Sequence, residues 1–207
     1  YRKTIDNNIV MIPAGGNLIK DLRETDPAKR YKMLCGGASA SIAVAFSADG
    51  IHWVRHDGGL PVIFHPPGHD GDTVCYWDEP LGRYVAVIRD RSAQIADARP
   101  GLIAEKAFWQ KMWNVGERGP AKNTTIRRVG QVESDDFVNW RPMRTVLAAD
   151  AEDPLNQDQF YNMQVLLYEG LRIGLMTVFS SDPNYCCGPV QLTYSRDGMN
   201  WQRGGNR

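Results

Sequence analysis

Short runs of alternating or continuous apolar residues, each closed by a cluster of turn-forming residues, recur along the chain and predict strands rather than helices. In the first stretch, Ile9 to Trp53, the runs Tyr31–Cys35 and Ser41–Phe46 read as strands, and Ser47-Ala-Asp49-Gly50 reads as a tight turn before Ile51-His-Trp53. The second stretch holds Thr73–Trp77, the turn Asp78–Gly82, Tyr84–Ile88 and Thr125–Val129. The third holds Phe160–Leu167, the turn Tyr168-Glu-Gly170, Leu171–Val178 and Val190–Tyr194. Each stretch carries the same signature: Ser47 to Trp53, then Ser134-Asp-Asp136-Phe137-Val-Asn-Trp140, then Ser195-Arg-Asp197-Gly198-Met-Asn-Trp201. In this unit the Asp accepts backbone hydrogen bonds, the Gly takes a positive φ, and the Trp gives the sheet a large apolar plate. Repetition of one such unit predicts an all-β fold, a β-propeller of antiparallel blades with about three blades in this chain.

Propellers commonly use at least four blades, so the whole of residues 1–207 reads as one incomplete propeller domain. Chain beyond Arg207, or another chain, is expected to complete the ring. Residues 91–124 interrupt the second blade as an insertion, within which Ile103–Trp113 reads as a short amphipathic helix on a rim.

Charge narrows the partners. Twenty-four basic side chains balance 24 acidic ones, leaving no net field to attract nucleic acid or an anionic membrane. No apolar stretch approaches the length of a membrane span, and residues 1–15 lack the layout of a signal peptide. The cysteines 35, 75, 186 and 187 form no CxxC pair, and Cys35 and Cys75 sit in apolar runs where a thiol packs as a small hydrophobe.

Candidate chemistry comes from carboxylates that the repeats would gather. Asp21 precedes Tyr31, Asp72 precedes Tyr84 and Asp158 precedes Leu171. In a radial arrangement the beginnings of inner strands converge near the axis, so these three residues are expected to share one pocket. There, one ionised carboxylate would attack or activate water and a protonated one would serve the leaving oxygen of an acetal. His69 and Asp70 beside Asp72, Trp77 and Tyr161 on the proposed inner strands, and Arg89 at a strand end are the expected substrate contacts, through ring stacking and forked hydrogen bonds. Glu169 reads as part of a hairpin turn at the opposite end of its strand. No cofactor is required by this scheme, although His65, His69, Asp70 and Asp72 also offer donors for an axial calcium ion. No dinucleotide or Walker phosphate loop is present.

These residues also carry a resemblance. Asp6–Val10, Arg30-Tyr-Lys-Met33, Ser47–Trp53, Asp72–Glu79, Gly82–Arg89, Arg128–Trp140 and Asp158–Met163 through Gly174-Leu175 resemble the five-bladed propeller glycoside hydrolases of families 32 and 43. Their uncharacterised bacterial relatives with a family 32-like N-terminal domain are the nearest in pattern. The resemblance implies hydrolysis of fructosides, arabinosides or xylosides of plant or microbial polysaccharide by three acidic residues on different blades, in a secreted or periplasmic protein. It implies that Asp21 is the first-blade nucleophile or base and Asp72 the second-blade carboxylate; where the families carry a Glu in the third blade, this chain has Asp158. A non-catalytic carbohydrate-binding or structural propeller is the alternative, in which the carboxylates make only turn bonds.

Overall fold

The computed structural model describes residues 9–11, 16–37, 41–63, 73–91, 127–153, 159–179 and 188–205. The proposed insertion beyond Arg91, with its helix, and Cys186-Cys187 lie outside the described residues. Among the described residues, twelve strands form three four-stranded sheets, and every pairing is antiparallel. Sheet 1 contains β1 (Gly16–Lys20), β2 (Tyr31–Gly36), β3 (Ile42–Ser47) and β4 (Trp53–Arg55). Sheet 2 contains β5 (Val74–Asp78), β6 (Arg83–Asp90), β7 (Arg128–Ser134) and β8 (Arg144–Leu147). Sheet 3 contains β9 (Gln159–Tyr168), β10 (Leu171–Phe179), β11 (Val190–Ser195) and β12 (Gln202–Arg203). Each sheet is a meander of sequential strands, which is the make-up of a propeller blade.

The three signatures occupy one place in the architecture, the connection from the third strand of each sheet to the fourth. Asp136 Oδ1 accepts from the backbone N–H groups of Val138 and Asn139 at 2.9 and 2.7 Å, and Ser134 Oγ donates to it at 3.0 Å. Asp49 and Asp197 accept the same set of backbone and serine bonds. Gly50 and Gly198 take positive φ here, and in the second copy Phe137 does so at φ 67°. A phenylalanine tolerates that backbone because its side chain is fully buried, edge-on to Tyr84 at 5.1 Å and to Trp140 at 5.5 Å. The β9–β10 hairpin likewise matches its sequence. Glu169 and Gly170 both have positive φ in a two-residue turn of the type that suits strand twist.

Strand alternation sorts the core into two seams. On β6, Tyr84, Ala86 and Ile88 pack toward Leu34, Val44 and Phe46 of sheet 1. Val87 and, from β7, Val129 pack toward Phe160, Met163, Met176 and Val178 of sheet 3. Sheet 2 is therefore covered on both sides, and β6 is buried along almost its whole length. Among the described residues nothing covers the far face of sheet 3, where Leu166, Tyr168, Leu175, Val190, Leu192 and Tyr194 are exposed together. No helix among the described residues is long and apolar enough to cross a membrane.

Polar latches tie the seams. Cys75 N donates to Asn17 Oδ1 at 3.0 Å between sheets 1 and 2. Between sheets 2 and 3, Arg172 makes a forked ion pair with Asp78, its Nε lying 2.7 Å from Oδ2, with both side chains withdrawn from solvent.

The signature carboxylates make the fold acid-sensitive. Burial alone would raise the pKa of Asp136, but hydrogen bonds from the Asn139 backbone and side chain, Val138 and Ser134 outweigh it and bring the value from 3.8 down to about 2. Asp49 is lowered chiefly by its His52 side-chain bond, and Asp197 chiefly by the Asn200 backbone N–H. Each folded pKa lies below its unfolded one, so the stabilisation is complete above about pH 4 and is lost as pH falls through the folded value. Urea midpoints are expected to drop between pH 4 and pH 2, and to drop less when Asp49, Asp136 and Asp197 are all replaced by Asn.

Candidate active site

The edge strands β1, β5 and β9 of successive sheets run side by side in one direction. Asn17, near the start of β1, bonds Cys75 near the start of β5, whereas Arg23, just past the end of β1, lies over the ring of Trp77 near the end of β5 at 3.4 Å. Arg89, at the end of β6 beside the start of β5, reaches Tyr161 near the start of β9. Asp78, at the end of β5, meets Arg172, the partner of Leu167 near the end of β9. The blades therefore share two ends, separated by roughly 16 Å, the length of a five-residue strand.

At the entry end, where these strands begin, arginines and aromatic rings from sheets 2 and 3 interleave. The Arg89 guanidinium lies 4.3 Å from the Tyr161 ring centre, and its Nε donates to the Tyr161 carbonyl at 3.1 Å. Tyr161 stacks on Phe179 with centroids 6.0 Å apart, and Arg127 lies over Phe179 at 4.6 Å. Arg127 Nη1 also donates to Gln159 Oε1 at 2.7 Å. Deeper in sheet 2, the buried Asp90 is held by Arg128 at 2.8 Å and by Thr145 Oγ1 at 2.5 Å. Arg89 and Tyr161, read from the sequence as substrate contacts, thus come together; Arg89 is almost wholly buried and orients the half-buried Tyr161 ring.

Asp72 directly precedes Thr73 at the head of β5, and Asp158 directly precedes Gln159, the first residue of β9. Both lie outside the described residues, as do His65, His69 and Asp70. Among the described residues, no three His, Cys, Asp or Glu side chains gather as a metal site.

Asp21 and Trp77 stand at the other end, which corrects the expectation that Asp21 heads an inner strand. Asp21 follows β1 and continues the β1–β2 ladder, its N–H donating to Arg30 O at 2.8 Å. Its carboxylate is 3% exposed and accepts from Tyr84 Oη, from Arg23 N at 3.0 Å and from Arg23 Nη2 at 2.8 Å, with Lys32 Nζ at 3.6 Å. Burial raises its pKa, but the Tyr84 and Arg23 hydrogen bonds and the Arg23 charge more than offset this and hold it below the ordinary value. With its lone pairs committed, Asp21 is the joint between sheets 1 and 2. Its place before Tyr31 is a property of the second strand of the sheet, and the first strand, Gly16–Lys20, is short, glycine-led and weakly apolar, so it leaves little trace in the hydrophobic pattern. Trp77 is likewise no open platform: Arg23 covers its ring, and its Nε1 donates to Glu79 at 2.6 Å.

Sequence reading did not select Gln159 or Phe179. Their signal was parity: Phe179 pairs with Gln159 in the β9–β10 register, which places them at the sheet end shared with Tyr161.

No protein-family model matches the chain, and no curated protein sequence does. Solved structures do match. A sucrose-6-phosphate hydrolase from Lactobacillus gasseri superposes with a TM-score of 0.54 at 14% identity, covering 92% of this chain and 34% of the hydrolase. A glycoside hydrolase matches with a TM-score of 0.52 at 16% identity over 86% of this chain and 49% of its own length. BT0996, solved as an RGII complex, gives a TM-score of 0.51 at 15% identity over 86% of this chain and 49% of its own length. The chain spans half or less of the length of these neighbours. At such identities the likeness is one of fold, and the three antiparallel sheets are blades of the propeller that these glycoside hydrolases share.

Proposed function

We propose that this chain forms part of a glycoside hydrolase, of the kind found in families 32 and 43, whose carboxylates work at the entry end of β1, β5 and β9. The supporting observation is that β5 and β9 are parallel neighbours headed by Asp72 and Asp158, with the Arg89–Tyr161–Phe179–Arg127 stack at the same end. Asp6, in the stretch ahead of β1, takes the first-blade role in this reading in place of Asp21. In this scheme one carboxyl gives its proton to the leaving glycosidic oxygen. A second, ionised, either attacks the sugar carbon or takes a proton from the attacking water. Like charges brought close would keep one of the acids protonated, which provides that division of labour. Hydrolysis by this route needs no cofactor. The substrate is an oligo- or polysaccharide met outside the cytoplasm, its rings seated against Tyr161.

The exposed apolar face of sheet 3 supports a further blade packed there, contributed by more of the same protein or by another chain. Hydrolysis is tested by incubating the full-length protein with aryl arabinosides, aryl xylosides and sucrose-type fructosides. Release of free sugar is the expected result. Saccharide binding without turnover of any of them would favour a binding propeller instead.

A further inference from the structure

A second cleft lies away from β1, β5 and β9, on the outer rim between sheets 1 and 2. It has a volume of about 310 Å³, at the low end of small-ligand sites, and is lined by His56, Asp57, Leu60 and Val62 from the segment after β4 and by Asn139 and Trp140 from the signature turn of sheet 2. Its walls differ in chemistry. Leu60, Val62 and the partly exposed Trp140 ring are apolar. Trp140 is fixed by packing on Phe137 at 5.5 Å and by donating its Nε1–H to Phe137 O at 3.2 Å. The polar groups are mostly acceptors: the Asp57 carboxylate, the Asn139 Oδ1 left over when Nδ2 donates to Asp136 at 2.7 Å, and the His56 ring, which is steadied edge-on by Phe46 at 6.2 Å.

The backbone at this wall is left-handed over three residues. Asp57 sits in the left-handed region at φ 46°, followed by Gly58 and Gly59 at 64° and 93°. Glycine takes that conformation freely and aspartate more readily than most residues, so Asp57→Gly removes the carboxylate without disturbing the backbone. Among the described residues the exposed Asp57 carboxylate makes no hydrogen bond, so its oxygens are open to a ligand at the cleft.

We infer that this cleft binds a neutral saccharide ring, as a site separate from the proposed hydrolytic end. A flat apolar wall with clustered acceptors suits a ligand that has one C–H face and several hydroxyl donors. That is the chemistry of a sugar ring, whereas a purely apolar ligand would leave the carboxylate desolvated. The inference does not rest on the hydrolytic reading. A rim site of this type would hold a polysaccharide chain while its end is processed elsewhere.

The test follows the indole N–H signals of the protein by ¹H–¹⁵N NMR during titration with sucrose, arabinotetraose and xylotetraose. Trp140→Phe identifies the Trp140 signal. A saturable shift of that signal is expected with at least one of the three. Asp57→Gly keeps the left-handed backbone and removes only the carboxylate, so its thermal midpoint should be unchanged or higher while the affinity falls about 10-fold, as for one lost charge-assisted hydrogen bond. Asp72→Asn should leave this binding intact even where it abolishes turnover. No shift from any of the three sugars at tens of millimolar, or an Asp57→Gly protein that binds as tightly as the parent, would overturn the inference.

Discussion

Replacement of Arg172 by alanine is expected to destabilise the protein by about 3–5 kcal/mol, because it strands the Asp78 carboxylate in a sealed seam. Asp78 is fully buried and Arg172 nearly so, and the pair joins by a two-pronged contact that also draws in the backbone carbonyls of Gly170 and Arg196. The same carboxylate accepts the Leu81 N–H at 3.1 Å, so it also fixes the β5–β6 turn. For a chain of 207 residues the loss should lower the thermal midpoint by on the order of 10 °C. Most of that cost is the orphaned charge rather than the value of the attraction. The double change Arg172→Met with Asp78→Leu should therefore be less damaging than Arg172→Ala alone. A single variant within about 0.5 kcal/mol of the parent in urea unfolding would show that the seam is held by its apolar contacts alone.

The second large effect concerns turnover. Asp72→Asn and Asp158→Asn are each expected to lower kcat/KM for the best glycoside substrate by about 10²–10⁴-fold, the usual contribution of a positioned acid or base. Neither change should move the thermal midpoint by more than a few degrees. The pH profile of kcat/KM in the parent should be bell-shaped, reporting one carboxyl that must be ionised and one that must be protonated. Stereochemistry of the product follows from the distance between the working carboxyls: about 5–5.5 Å gives retention and about 6.5–9.5 Å gives inversion.

The repeats were legible because they are local. Ser47–Trp53, Ser134–Trp140 and Ser195–Trp201 each write a turn in seven residues, and the carboxylate bonds within each turn are made by immediate neighbours. The long apolar strands were legible as strands because they are continuous runs, but Leu171–Phe179 does not reveal its faces: Arg172, Gly174, Met176 and Val178 turn inward while Leu175 is exposed. Short strands were not legible. β1, β8 and β12 are two to five residues long and carry few apolar side chains, so their positions depend on pairing with a neighbour. Of the expected strand Thr125–Val129, residues 125 and 126 lie outside the described residues and Arg128 and Val129 open β7, which runs on to Ser134 because its register with β6 carries it past the buried Gln131 and Glu133 on the sheet 3 side.

Missing β1 mattered for the site. Without it, Asp21 reads as the head of a blade, whereas it closes the first strand and meets Tyr84 across the seam. Arg89 and Tyr161 both lie on strands that the apolar pattern does reveal, and their contact follows from which strand ends adjoin. That Trp77 lies under Arg23 was beyond reach of the sequence, since 54 residues separate them and the contact depends on how two sheets are stacked.

Asp21→Asn and Asp72→Asn, compared in one turnover assay at a temperature where both proteins are folded, address the central claim most directly. A hydrolytic centre at the entry end predicts that Asp72→Asn loses at least about 10²-fold in kcat/KM. The same account predicts that Asp21→Asn keeps nearly full turnover and shows its defect only as lower stability. Equal loss of turnover in both, or full turnover in Asp72→Asn, would contradict it.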